Sequence, residues 1–439
     1  MAFFNPQSRR DFESALRKWQ WLSTVRDAEI EKVQWESLRR VWADCVNDVI
    51  YYHNLVQKGM APRELRSWQD LRNIPVLERS ALQAKQDEFC RLSGAPEEYR
   101  MSGGSTGTPV RLGVRKREAT VHRVAKLMLW QRAGYTPSDR LFLLWGHLHL
   151  LGTGARGRFN HHVRKLKDWL LDYRRADAYA LSPDKCAEIA RALLKHHPFG
   201  LIGYASALDY FVRVTEPFHE AFGRLGLRFV MPAGEMPPRA DSYELLTRVF
   251  HCPVIEEYGG VEFGQVAMRH EPSGFVVFHD LNYVESHATP GDANQERLLV
   301  TSLYDRYVPL VRYAPGDEIS GPRRLPNGHV ASFARVKGRI HDSVHLADGV
   351  VIHSMAMLHC IHQEPSVMNI QLLLQDAGPR LRLAVGAGFD AACEQRIRRR
   401  LADVAPGLFQ VAIDRVADVA TTVAGKRRWI RDERTSSSR

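Results

Sequence analysis

The sequence predicts an α/β protein in two parts, a large N-terminal domain with mixed, largely parallel sheets and a small C-terminal α+β domain. Three observations predict it. The chain has 439 residues, more than one ordinary core organises. Short apolar strands alternate with helical stretches through its middle, the pattern of a substantially parallel sheet. The composition then shifts near Gly338–Asp342, at a site of glycine and charge rather than a long linker.

Taken in order, apolar residues recur at helical spacing through Phe12, Leu16, Trp19 and Leu22, and again from Trp35 to Tyr51. The first 75 residues are therefore read as mainly helical, closing at Ile74-Pro75. Glu78–Phe89 and residues 113–134 read as helices, and Leu141–Trp145 as a buried strand. Helical stretches at 162–173, 183–196 and 206–224 are separated by short strands near Gly200–Ile202 and Arg228–Met231. From about residue 276 the pattern is β-rich, with strands at Phe275–His279, Arg297–Ser302 and Leu310–Tyr313. The last hundred residues give strands near Met368–Gln375, Leu381–Val385 and Phe409–Asp414, with a helix starting near Asp390.

Hydrophobic content of 44% and charged content of 25% are those of a globular protein. Six cysteines without regular CxxC spacing argue against a disulfide framework and fit a reducing cytosol. No signal peptide is read, and no apolar run approaches the ~20 residues of a membrane span. The expectation is a soluble, cytoplasmic protein. A net charge of +11 suits nucleic acid, acidic lipid or an anionic cofactor. Arg396, Arg398, Arg399 and Arg400 form one basic knot, read either as a solvated helix face or as a docking face for a phosphorylated ligand. His353, His359, Cys360 and His362 match no four-ligand zinc spacing.

Four segments carry candidate chemistry. Ser102, Gly103, Gly104, Ser105, Thr106 and Gly107 precede Thr108-Pro109. Such a loop either wraps amides and hydroxyls around a polyanion or is a plain surface turn. It lacks the lysine of a Walker A loop. Tyr258-Gly259-Gly260-Val261-Glu262 follows an apolar strand; Glu262 is a hard oxygen ligand for Mg²⁺ or a solvated turn residue. Asp317 closes Arg312–Asp317 after a Pro-Gly turn, either as a turn residue or as an acceptor for two ribose hydroxyls. Gly425-Lys426 sets a cation beside a glycine, either a basic tail or a delivered charge.

In this order the segments resemble the signatures of the adenylate-forming superfamily: acyl-CoA synthetases, peptide-synthetase adenylation domains and luciferases. Ser102–Pro109 resembles the phosphate loop, Tyr258–Glu262 the Tyr-Gly-x-Thr-Glu motif, and Arg312–Asp317 the Arg-Tyr-x-x-Gly-Asp motif. Gly338–Asp342 resembles the hinge motif and Gly425-Lys426 the C-terminal catalytic lysine. Trp68–Leu77, Gly203-Tyr204-Ala205-Ser206 and Ala233-Gly234-Glu235 make the chain similar to the phenylacetate–CoA ligase branch and its relatives named for capsular polysaccharide biosynthesis. The resemblance runs from about residue 50 to 430. Val261 stands in place of the motif threonine, Val110 follows the loop proline, and His341 replaces the first hinge aspartate.

The resemblance implies a carboxylate-activating ligase that uses ATP and Mg²⁺ and forms an acyl-AMP. The acyl group then passes to CoA, as in an aryl or arylacetic acid–CoA ligase. It implies an adenylation domain over residues 1–338, a hinge at 339–342 centred on Asp342, and a mobile small domain over 343–439. Ser102–Gly107, with Ser105 and Thr106 foremost, are assigned to the β- and γ-phosphates, and Glu262 to Mg²⁺. Tyr258, Gly259, Gly234 and Glu235 are assigned to the adenine, Asp317 and Arg339 to the ribose, and Lys426 to the carboxylate and α-phosphate. His147, Tyr204, Ala205 and Ala233 are expected to line the acid pocket. The partners implied are a small carboxylic acid and CoA or an acyl-carrier protein; no specific nucleic acid is implied, and the oligomeric state is open. Two other readings stand beside this one. An adenylating ligase could use an amine, hydroxyl or carrier-protein thiol as acceptor. A non-catalytic polyanion-binding protein on the same fold would bind nucleic acid salt-sensitively without turning over ATP.

Overall fold

The computed structural model describes the chain apart from residues 1–12, 15–16, 19–20, 22–23, 102–109, 137, 146–153, 179, 235–236, 238, 240, 271–273, 290–291, 338–342, 346–350, 354–356, 358–359, 362–363, 365, 387, 418–429 and 434–439. It forms two compact units, each drawn from separated stretches of chain. One comprises Met1–Ser102, Pro109–Ala133 and Glu256–Gly338; the other comprises Gly103–Thr108, Gly134–Ile255 and Arg339–Arg439.

In the first unit a helix runs from Asp27 to Asp48 and a second from Ile50 to Gln57. The periodicity read one helix across this break. Val49 is extended and bridges Arg91, which ends the first helix and restarts the second. Trp68–Asn73 starts under a capping box in which Ser67 and Asp70 satisfy each other's backbone donors. Two sheets follow. A six-stranded sheet is ordered Leu77–Glu78, Tyr313–Ala314, Asp292–Ser302, Glu318–Ser320, Arg335–Lys337, with Asn282–Thr289 also paired to Asp292–Ser302. An antiparallel five-stranded sheet is ordered Arg323–Arg324, Val330–Phe333, Phe275–Val277, Gly264–Arg269, Glu256–Gly260. Trp42, Tyr52, Leu77, Val266, Leu298 and Tyr313 belong to the core they share. Part of this interior is polar. Val284 N–H donates to His329 Nδ1 (3.0 Å), so the His329 proton sits on Nε2, 3.0 Å from His279 Nδ1.

In the second unit, parallel pairing is concentrated in a four-stranded sheet ordered Tyr173–Ala176, Leu141–Leu144, Gly200–Tyr204, Phe229–Ala233. Leu141 pairs with both Tyr173 and Gly200, and Gly203 with Pro232. Helices Pro183–His196, Ala205–Val214 and Ser242–Phe250 bury Leu193, Phe211 and Leu246 with the sheet residues Phe142, Leu201 and Val230. Ser182 caps the first of them, with Pro183 at the opening position where a missing N–H costs nothing. The stretch 206–224 is not one helix. Pro217 cannot donate to the preceding turn, and the chain ends its helix at Val214, makes a 3₁₀ turn at Glu216–Phe218 and resumes at His219–Gly223.

The C-terminal strands form a four-stranded sheet ordered Ala412–Val416, Gly378–Val385, Val367–Gln375, Ile430–Asp432. Helix Ala391–Val404 packs Ile397 and Leu401 against Leu372, Leu381 and Leu383, and Asp390 caps it by accepting from Cys393 N–H (2.8 Å). A small sheet of Ser343–His345, Val351–His353 and Ala180–Leu181 joins this part to the middle of the chain. No helix among the described residues is long and apolar enough to cross a membrane.

Candidate functional site

The first unit brings two of the motif segments together. Tyr258 lies in the antiparallel strand Glu256–Gly260, and its ring is buried between Phe263 (5.8 Å) and Phe333 (6.1 Å). Its hydroxyl donates to Asp317 Oδ2 at 2.9 Å, across 59 residues of sequence. Asp317 follows Gly316, whose φ of +90° makes the turn between Tyr313–Ala314 and Glu318–Ser320. Gly259 is a glycine for a steric reason: a Cβ there would overlap the Gly264 carbonyl on the facing strand. The ring expected to pack on a base is thus largely enclosed by the core, and its polar end is aimed at the aspartate.

Glu262 sits in the turn of the same hairpin, buried. Its Oε1 lies 3.1 Å from Arg79 Nη1 and makes no hydrogen bond among the described residues. Its carbonyl accepts from Arg306 Nη2 (2.6 Å). Arg306 is in turn buried against Glu118 (3.4 Å) and Ser302 Oγ (3.1 Å), so an internal ion pair fixes the turn that carries Glu262. Glu257, on the adjoining strand, pairs through Oε1 with Lys126 Nζ (2.9 Å), while its buried Oε2 makes no hydrogen bond among the described residues. Mg²⁺ is commonly held by one or two carboxylates together with substrate phosphates. Buried Glu262 offers one such carboxylate; no cluster of three ligating side chains occurs among the described residues.

A half-buried histidine lies among the paired charges. His122 Nε2 meets Tyr304 Oη at 2.8 Å, and His122 Nδ1 lies 3.4 Å from Arg100 Nη1. Burial first, and then Arg306, Arg100 and Lys126, hold the His122 imidazole well below its usual range, at about 3. It is neutral at pH 7, and each of the cations acting on it is ion-paired, Arg306 with Glu118, Arg100 with Glu98 and Lys126 with Glu257. Arg100 lies in strand Glu98–Met101, which pairs with Arg111–Val114 so that Met101 faces Arg111. The glycine-rich loop is the connection of this hairpin. Arg79, Arg100, Arg306 and His122 were not singled out by sequence, since an arginine in a helix or after a turn carries no local signature.

Arg312, at the head of its motif, is structural. It is buried at φ 50°, pairs with Glu285 (3.1 Å) and donates to the Arg72 and Ile74 carbonyls, tying the motif to the end of helix Trp68–Asn73.

The second unit gathers the expected pocket residues at the carboxyl ends of parallel strands, where open α/β sheets place ligands. Trp145 follows Leu141–Leu144, Tyr204 ends its strand in register with Ala233, and Gly234 follows. The Trp145 and Tyr204 rings stack at 4.2 Å and 20°. Gly234 has φ +82°, and a Cβ on it would lie 3.2 Å from the Tyr204 ring. Ala205 and Ala233 are buried beside them. The arginine knot is mostly committed: Arg396 makes a two-pronged contact to buried Glu364 (3.0 and 2.8 Å), and Arg398 pairs with Glu394 and donates to the Phe409 and Val411 carbonyls. Arg399 is exposed. Ser102, Gly103, Gly104, Ser105, Thr106, Gly107, His147, Glu235, Arg339, Asp342 and Lys426 lie outside the described residues.

No protein-family model matches the chain, and no curated protein matches it in sequence. Solved structures match its fold. A 2-hydroxyisobutyryl-CoA ligase in complex with 2-HIB-AMP and CoA, in the thioesterification state, superposes with a TM-score of 0.60 at 19% identity over 94% of this chain and 91% of that one. An open conformation of the same ligase, also with 2-HIB-AMP and CoA, gives 0.54 at 17% identity over 92% and 91%. Its postadenylation state with R3-HIB-AMP gives 0.53 at 16% over 92% and 88%. The chain has the mixed α/β fold of these CoA ligase structures.

Proposed function

We propose that this protein activates a small carboxylic acid with ATP as an acyl-AMP and passes the acyl group to the thiol of CoA, the acid being of the aryl or arylacetic class. The observation that carries the proposal is the hydrogen bond from Tyr258 to Asp317, which joins two motif segments of the adenylate-forming signature in one place. The fold shared with a CoA ligase and the buried Glu262, 3.1 Å from Arg79, support it.

A carboxylate is a poor electrophile. In the proposed first step one of its oxygens attacks the α-phosphorus of ATP, the bond to pyrophosphate breaks, and a mixed anhydride forms. Negative charge gathers at the α-phosphate, so positioned cations and donors do most of the work. Lys426 contacts that charge, and Ser102–Gly107, led by Ser105 and Thr106, hold the leaving pyrophosphate. Asp317, oriented by Tyr258, takes the ribose hydroxyls, and by the resemblance Arg339, Gly259, Gly234 and Glu235 are further nucleotide-binding candidates. Glu262 would hold Mg²⁺, which when bound would offset phosphate charge; Arg79, 3.1 Å from its Oε1, positions it. The acid lies among His147, Tyr204, Ala205 and Ala233, with the Trp145–Tyr204 stack as its flat wall. In the second step the CoA sulfur attacks the acyl carbon and AMP leaves. Residues 343–439 act as the small domain, turning about 339–342 at Asp342 between the steps.

Carboxylate-dependent ATP–pyrophosphate exchange across aryl, arylacetic, fatty and amino acids tests the first step, with Lys426→Ala beside the unaltered protein. Exchange with one class of acid that collapses in the variant supports the proposal. Exchange without CoA-dependent AMP release transfers the second step to an amine, hydroxyl or carrier thiol. ATP binding with no exchange on any acid refutes the enzyme reading and favours polyanion binding.

A further inference from the structure

Helix Gly154–Leu170 connects the paired parallel strands Leu141–Leu144 and Tyr173–Ala176. A crossover helix in that place ordinarily turns its apolar stripe to the sheet. This one does the reverse. Phe159, Leu166, Trp169 and Leu170 are 67%, 55%, 76% and 57% exposed. Asp168 faces inward instead, bonded to Arg175 at 2.7 Å with 15% of its side chain exposed. At 3.6 residues per turn the four apolar side chains fall within one arc of about 100°. Lys165 borders that arc on one side and Lys167 on the other, both exposed. Arg174, just beyond the helix, is exposed as well.

We infer that this helix face is a docking surface for an anionic lipid bilayer. An apolar arc carrying Trp, Phe and Leu, flanked by lysines, is the composition of a helix that lies in the plane of the headgroups, with rings at the acyl boundary and ammonium groups among lipid phosphates. The net charge of +11 adds long-range attraction to such a surface. A second copy of the chain fits less well. Two such faces would set lysines against lysines, and four side chains offer on the order of 450 Å², little more than half the ~800 Å² per partner of a standard interface. Exposed apolar side chains this size on one helix mark a contact site rather than ordinary surface. The inference does not depend on the catalytic reading.

The test is sedimentation of the full-length protein with vesicles of phosphatidylcholine alone and of phosphatidylcholine with phosphatidylserine. The expected result is partition onto the anionic vesicles, weakened by salt. Trp169→Glu and Leu166→Glu each reduce it about tenfold or more. Lys165→Gln and Lys167→Gln each reduce it about fivefold on anionic vesicles only. Circular dichroism melting confirms that the variants fold, as exposed positions allow, and the lysine pair serves if an apolar variant does not. Absence of sedimentation with anionic vesicles overturns the inference. So does Trp169→Glu binding as well as the unaltered protein. A dimer by light scattering that Leu166→Glu dissociates, without vesicle binding, overturns it in favour of self-association.

Discussion

Tyr258→Phe isolates one hydroxyl. The Phe263 and Phe333 contacts that hold the ring remain, and the 2.9 Å hydrogen bond to Asp317 Oδ2 is lost. A hydrogen bond to a charged group contributes about 1.5–3 kcal/mol. Asp317 is partly exposed, so water recovers some of that, leaving about 1–2 kcal/mol. If Asp317 holds the ribose, that energy goes to keeping its carboxylate aimed at the two hydroxyls. Losing it should raise the KM for ATP about 5- to 30-fold and leave the KM for the acid unchanged. Asp317→Asn should do the same or more. The double variant Tyr258→Phe/Asp317→Asn should be less than additive, because both changes remove one interaction. The assay is pyrophosphate exchange at varied ATP and fixed acid, with thermal melting as a fold control. The reasoning is refuted if Tyr258→Phe leaves the ATP dependence untouched, or if the two variants add in full.

Lys426→Ala should lower the exchange rate about 10²- to 10³-fold, the effect of losing one preorganised cation or donor, with melting unchanged; a loss under tenfold would remove Lys426 from the chemistry. Glu262→Gln should raise the Mg²⁺ concentration needed for half-maximal exchange, read by metal titration, because its buried oxygen loses its charge but keeps its shape. Gly234→Ala places a Cβ 3.2 Å from Tyr204 at a φ of +82°, and should lower stability by about 1–2 kcal/mol and raise the KM for the acid. Burial holds His122 at about 3 and His279 at about 4, and His329 also below its usual range. Below pH 6.5 the unfolded chain binds these protons and the fold does not, so stability is full above 6.5 and falls as pH drops toward 3–4. Between pH 6.5 and 5 His122 and His279 should each cost about 2 kcal/mol. His122→Gln should flatten the melting temperature's fall over that range, and an unchanged slope would exclude His122 as a source.

Much of the architecture was legible because hydrophobic period and helix punctuation agreed. Pro183–His196 matched to the residue, since Ser182, Pro183 and an apolar stripe mark its start and face. Strands Gly200–Tyr204 and Phe229–Ala233 appeared as continuous apolar runs, as strands covered on both faces do. The break at Val49 was not legible, because its cause is a bridge to Arg91, far along the chain. The inverted helix Gly154–Leu170 was read only as a helical stretch at 162–173, which misses its first two turns; a stripe does not say which way it points. Of the candidate site, Tyr258, Glu262 and Asp317 came from local motifs. Arg79, Arg306 and Glu118 could not, because their importance arises only when distant segments pack and a buried carboxylate must meet a cation.

The strand Val351–His353 holds Ala180–Leu181 through two register partners, Val351 with Leu181 and Ile352 with Ala180. Backbone bonds of this kind contribute about 1 kcal/mol each, so the bridge is a weak latch, breakable by thermal fluctuation without unfolding either side. The proposed turning of residues 343–439 has to undo it on every cycle. In that proposal the bridge shares the resting orientation with Tyr204, which packs against the C-terminal core. Amide exchange at Ala180, Leu181 and Ile352 should quicken during turnover and serve as an unlabelled clock for the motion.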